Sequence, residues 1–189
     1  MLDPVIALII SVGFTLLLIG AGGHKLTNRL RFRGILEGYQ VLPGAMVRVA
    51  AFVIGPVELL LGFSWVTGWQ RDFVALATAL LLTLYAIAIA INLVRGRTYI
   101  DCGCGFSVLA VKQSEQQGIQ QLSAGLLLRN GVLVLGALLA ILPSTGRLLG
   151  FIDYLSTFSA ILVLVFIYAA FNQLLLNNNA IKSWRHTHA

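Results

Sequence analysis

Cys102 and Cys104 are the only thiols in the 189-residue chain, and a single residue, Gly103, separates them. Gly103 and Gly105 supply the backbone freedom that a tight turn needs, including positive φ values. A disulfide closed across one residue forms a small, strained ring, and strained disulfides are the readily reduced ones. The chemistry that fits is thiol–disulfide exchange, in which one thiolate attacks a partner's disulfide and the second resolves the mixed species. Arg95, Arg97 and Lys112 near the pair favour a thiolate, whereas Asp101 beside Cys102 opposes one. Two blander readings stay open: a pair of unreactive cysteines, or half a metal site completed by a second subunit. Two cysteines are too few for one chain to build a four-cysteine zinc or iron–sulfur centre, so no metal site is assigned.

A second group with chemical potential is Glu58, set in the otherwise uncharged stretch from Val49 to Trp69. A carboxylate at bilayer depth costs about 2.5–3.5 kcal/mol on insertion scales, so it must be protonated or partnered. Ala51, Gly55, Glu58 and Gly62 share one helical face, which points the carboxyl group into a close helix–helix contact. Glu58 is therefore either a proton partner for the thiol chemistry, a member of an interior ion pair, or a neutral acid in an interhelical hydrogen bond. Arg129, the only other ionisable residue within an apolar run, is expected to extend toward the headgroups, with inward pairing to Glu58 as the alternative. Asn92 and Asn130 are candidates for bridging helices. Trp65, Trp69 and Trp184 fall near the ends of apolar runs, as interfacial anchors do. His186 and His188 belong to a polar tail rather than a metal site.

The elements that must position these groups are membrane spans. The chain is 58% hydrophobic and only 11% charged, against about 25% charged in ordinary soluble domains. Apolar runs at 4–23, 49–69, 73–94, 126–146 and 154–176 predict an all-α integral membrane protein, a single transmembrane domain of about five helices. The fourth run is interrupted by Pro143 and could begin as early as Leu122. Between the first two runs, Phe32, Ile35, Leu36 and Tyr39 recur at helical spacing beside Arg29, Arg33 and Glu37. A short interfacial helix is expected there, ended by Pro43 and Gly44. The net charge of +6 sits in short loops, which argues for membrane topology and against nucleic acid. Lys25, Arg29, Arg31, Arg33, Arg48, Arg95, Arg97, Lys112, Lys182 and Arg185 fall on one side, and Arg71 and Arg147 on the other. That asymmetry places the N-terminus outside and the C-terminus in the cytoplasm, with the cysteine loop on the cytoplasmic face.

Several segments together resemble the MauE family of methylamine-utilisation membrane proteins, related in architecture to DoxX-like proteins. They are Gly22-Gly23-His24-Lys25-Leu26, Tyr39 to Pro43, Gly55-Pro56-Val57-Glu58, Ile100-Asp101-Cys102-Gly103-Cys104 and Leu128-Arg129-Asn130. The order Gly105-Phe106 departs from the Phe-Gly that often follows the second cysteine in that family. The resemblance implies a bacterial inner-membrane accessory factor in maturation, export or disulfide formation of the small subunit of methylamine dehydrogenase, or of an aromatic amine dehydrogenase. It further implies a periplasmic thioredoxin-like MauD-type partner, on the face opposite to the one that the charge count gives for the cysteines. No cofactor is assigned, and a quinone is left open. A non-catalytic scaffold that recruits the client is the alternative; a small-molecule transporter finds no support in repeats or broken helices.

Overall fold

The computed structural model describes residues 1–98, 100–101 and 122–187; at 176 and 178–187 only the backbone is described. Cys102, Cys104 and Lys112 lie outside the described residues. Among those described, six helices follow one another: α1 (Pro4–Thr27), α2 (Arg29–Tyr39), α3 (Gly44–Thr67), α4 (Arg71–Val94), α5 (Ala124–Leu139) and α6 (Phe151–Thr187). Helices α1, α3 and α4, and residues Phe151–Leu175 of α6, are long and apolar enough to cross a membrane. The 24 residues of α1 reach about 36 Å at 1.5 Å per residue, more than the hydrocarbon thickness. The chain is an all-α, multi-pass membrane protein.

Each boundary has a local cause. The Asp3 carboxylate accepts the Val5 N–H at 2.8 Å and Pro4 opens the first turn, so α1 starts with a cap and a residue that needs no donor. It runs past Gly23, the expected end, to Thr27. There the Asn28 backbone N–H and side-chain amide both donate to the His24 carbonyl, at 3.0 and 3.2 Å. Helix α2 stands where the periodicity of Phe32 and Tyr39 predicts it, and both side chains are buried. It closes on Gln40, which takes the left-handed conformation at φ 48°.

The fourth predicted span is the one that the structure shortens. Helix α5 covers 16 residues, about 24 Å, and stops at Leu139 rather than near Gly146. Proline disfavours helical backbone in the residue before it, so Pro143 sets a limit that the apolar composition conceals. The chain leaves through tighter turns, with the N–H groups of Ile141 and Leu142 reaching back three residues to Leu138 and Leu139. It is then pinned to the start of α1, where Leu2 N–H donates to Pro143 and Thr145 N–H donates to Leu2, each at 2.9 Å. Helix α6 has the opposite history. No glycine or proline interrupts the chain from Leu176 to Thr187, so the helix continues through the segment expected to be a polar tail.

Helix α1 packs along α3, and α4 along α5; α2 lies against α3 and α6 against α1. Between α1, α3 and α4, Phe14 stacks on Trp65 with ring centroids 5.1 Å apart, and the Trp65 indole N–H donates to Thr78 at 3.0 Å. Trp65 is thus a core residue rather than the interfacial anchor its position suggested; Trp69 is exposed.

The α1–α3 contact is close because it is made of small residues. A Cβ on Gly22 would stand 2.8 Å from the Gly55 carbonyl oxygen and 3.1 Å from the Cβ of Glu58. Neighbouring Gly23 has nothing within 4 Å of the same added atom. Gly22→Ala is therefore expected to cost about 1–3 kcal/mol, since backbone and not a side-chain tip must move. Gly23→Ala is expected to be neutral or stabilising, because alanine is the better helix former by about 1 kcal/mol. Thermal denaturation in detergent compares the two, and equal effects would contradict the packing account.

Candidate functional site

Because α3 puts Glu58 on the same face as Ala51, Gly55 and Gly62, its carboxyl group enters the bundle and is 1% exposed. Lys25 lies one turn after Gly22 on α1, so it shares the face that closes on α3, and it is 5% exposed. Its ammonium donates to Glu58 Oε1. The Tyr85 hydroxyl, from α4, donates to the same oxygen at 2.7 Å, and Lys25 Nζ stands 3.3 Å from the Tyr85 oxygen. Two aromatic faces complete the enclosure, with Nζ 4.8 Å from the Tyr85 ring centroid and 5.3 Å from that of Phe32. Glu58 Oε2 is buried and accepts no hydrogen bond among the described residues. Three helices and α2 thus converge on one ion pair, the interior pairing that was among the roles left open for Glu58.

Lys25 is the partner of Glu58 that the sequence did not single out, since it was counted as a loop charge and within the Gly22–Leu26 segment but not as an interior residue. The signal was its spacing of three from Gly22, which matters once α1 is allowed to continue beyond Gly23. Arg129 also differs from expectation. It neither extends to headgroups nor pairs with Glu58; it is 8% exposed, and its Nη1 donates to Asn172 of α6 at 3.2 Å. The Tyr168 ring lies 5.7 Å from its Cζ. Among the described residues the Asn92 amide bridges no helices and donates to Ala88 of its own helix at 3.0 Å.

At one end of the bundle the flanks of the cysteine segment are held in place. Leu122 N–H donates to the Thr98 carbonyl at 3.0 Å, which joins the two chain ends of the loop. Asp101, the residue before Cys102, accepts from Arg31 of α2 at 2.8 Å. Ile100 packs with Tyr39, Ile89, Leu122 and Leu126. Arg95 donates to the Gln40 carbonyl at 3.1 Å, and Arg97 to the Gln40 side chain, so the chain leaving α4 is bound to the C-terminus of α2. His24, at the last turn of α1, lies within electrostatic reach of both Arg31 and Asp101. Arg31, Arg95 and Arg97, predicted to share a side, therefore gather at one end. Arg147 is at the other end, paired with Asp3 at 3.5 Å and Asp153 at 3.1 Å. The hydrogen bond from Arg147 to Asp153 raises the arginine pKa further above its ordinary value.

Among known proteins, one from Methylophilus methylotrophus named methylamine utilization protein MauE is 36% identical over 102 residues, 54% of this chain and 54% of its own length. The protein of that name from Paracoccus denitrificans is 36% identical over 104 residues, 55% of this chain and 56% of its own. The chain thus spans about half the length of these two relatives. A third, from Methylorubrum extorquens, is 32% identical over 149 residues, 76% of this chain and 75% of its own. No solved structure matches the chain. Residues 3–143 match the family described as "Methylamine utilisation protein MauE", and the chain belongs to that family.

Proposed function

We propose that this protein serves methylamine utilisation as a membrane accessory factor for the small subunit of methylamine dehydrogenase, or of a related aromatic amine dehydrogenase. It acts in that subunit's maturation, export or disulfide formation, by thiol–disulfide exchange between Cys102/Cys104 and a thioredoxin-like MauD-type partner. The observation that carries the reading is the Arg31–Asp101 ion pair. It fixes the residue next to Cys102 against α2, and it sets a guanidinium on the adjacent carboxylate that by itself opposes a thiolate.

In the exchange, the thiolate of one cysteine attacks a sulfur of the partner's disulfide, forming a mixed disulfide and expelling the partner's thiolate. The second cysteine, as a thiolate, attacks its neighbour's sulfur, closes the Cys102–Cys104 bond and releases the partner's second thiolate. Two electrons have moved from the chain to the partner, and the two protons from the cysteine thiols pass to solvent or to the released thiolates. The reverse sequence runs by the same steps. Glu58, with one oxygen held by Lys25 and Tyr85 and the other accepting no hydrogen bond among the described residues, is the proton partner proposed for this cycle. The charge count gives a bacterial inner-membrane protein with its N-terminus periplasmic, its C-terminus cytoplasmic and its cysteine loop on the cytoplasmic face, so exchange with a periplasmic partner requires either that the loop folds back into the bundle or that the basic count misleads for this chain.

Single Cys102→Ser and Cys104→Ser variants in cells test the exchange. One of them is expected to accumulate a reductant-sensitive adduct with the thioredoxin-like protein, visible on a non-reducing gel, because the resolving thiol is gone. Absence of an adduct in both variants, with dehydrogenase still fully matured, identifies a scaffold instead. A membrane-impermeant maleimide applied to the reduced protein in intact cells reads which face carries the sulfurs.

A further inference from the structure

Most arginines at the α2 end of the bundle are engaged: Arg31 with Asp101, Arg33 with Glu37 at 2.8 Å, and Arg95 and Arg97 on Gln40. Arg29 and Arg48 are different. Both are exposed, and neither makes an ion pair among the described residues. They meet at Phe52. The Arg29 guanidinium lies 5.6 Å from the Phe52 ring centroid, and Arg48 stands one turn before Phe52 on the same face of α3. Phe52 is itself 64% exposed, so this aromatic ring faces out of the bundle with a cation against it.

Below the two arginines runs an apolar stripe. Val49, Phe52, Val53, Leu60 and Phe63 are all exposed and recur along the outer side of α3. Two unpaired guanidinium groups at the head of an outward-facing apolar track match one ligand chemistry. It combines a phosphodiester, which arginine recognises with paired N–H donors, with acyl chains that follow the helix into the bilayer. The geometry points to a binding site for an anionic phospholipid on α3, with its phosphate held by Arg29 and Arg48 and its chains along Val49, Val53 and Leu60. A lipid seated there ties the α1–α2 junction to α3, and so steadies the helix whose Arg31 holds Asp101. This inference does not depend on the thiol chemistry.

The test uses the full chain in mixed detergent micelles, with native mass spectrometry reading retained phosphatidylglycerol against phosphatidylcholine. The wild type is expected to retain the anionic lipid preferentially. A basic residue near an anionic surface is worth roughly fivefold in binding, so R29Q/R48Q should lower the preference by about 25-fold. R33Q, which removes an arginine already paired with Glu37, should change it less than about twofold. R29K/R48K keeps both charges but loses the paired donors and should show a preference between those of R29Q/R48Q and the wild type, which separates lost recognition from lost folding. An unchanged preference in R29Q/R48Q, or an equal loss in R33Q, overturns the site. Displacement of the lipid by millimolar inorganic phosphate would show a free-anion site and overturn it too. An acidic protein retained in place of lipid has the same consequence.

Discussion

Glu58→Ala is expected to destabilise the bundle by about 3–5 kcal/mol, the cost of leaving one member of a buried ion pair without its partner. The Lys25 ammonium would remain enclosed by Phe32 and Tyr85 with its carboxylate gone, and the Tyr85 hydroxyl would lose its acceptor. For a chain of this length the loss corresponds to a melting temperature lower by roughly 10 °C. The charge, rather than the volume, is responsible, so K25M/E58L should recover most of the stability, because apolar replacements of similar size often substitute for buried pairs without loss. Glu58→Gln keeps an acceptor for Tyr85 but leaves the Lys25 ammonium without its counter-charge, so it is expected to destabilise the bundle as well. If the K25M/E58L protein melts like the wild type yet fails to support dehydrogenase maturation, the proton assignment gains support. A double-mutant cycle in detergent measures the coupling directly; additive effects of K25M and E58L would show that the two side chains do not interact.

The second large effect concerns activity. Cys102→Ser/Cys104→Ser is expected to abolish formation of active amine dehydrogenase and growth on methylamine, while leaving the melting temperature of the purified protein unchanged. Serine is close in size to cysteine but its hydroxyl neither exchanges with disulfides nor forms them, so neither half of the exchange can proceed. Activity is read in cell extracts and stability by thermal denaturation of the same variant. Normal growth of this strain removes the thiol mechanism altogether; a simultaneous loss of stability assigns the cysteines a structural role.

The places where expectation and structure part share a cause. Trp65 stands near a span end in sequence, which is where interfacial anchors occur, but Phe14 and Thr78 come from other helices to enclose it. Arg129 is one ionisable residue in an apolar run, and the approach of Asn172 and Tyr168 on α6 helps to make an interior position tolerable. Asp101 reads in isolation as an anion that suppresses thiolate formation. Across 70 positions of sequence it meets Arg31, which offsets that charge. Pro143 is the exception, a local signal for the end of α5 that apolar composition outweighed.

What the sequence by itself determined were properties that follow from covalent neighbours and local periodicity. These are the apolar runs that cross the membrane, the amphipathic α2, the small-residue face that turns Glu58 inward, and the paired thiols with glycines beside them. Each depends on a helix repeat or a composition threshold, which a linear string contains in full. The tertiary structure decided which charges meet. Lys25 joins Glu58 and Tyr85, and Arg31 joins Asp101, because α1, α3 and α4 pack at one particular register and α2 folds back against α3. Burial turns those meetings into energies, since a charge costs little in a loop and several kcal/mol inside the bundle unless another helix supplies its partner.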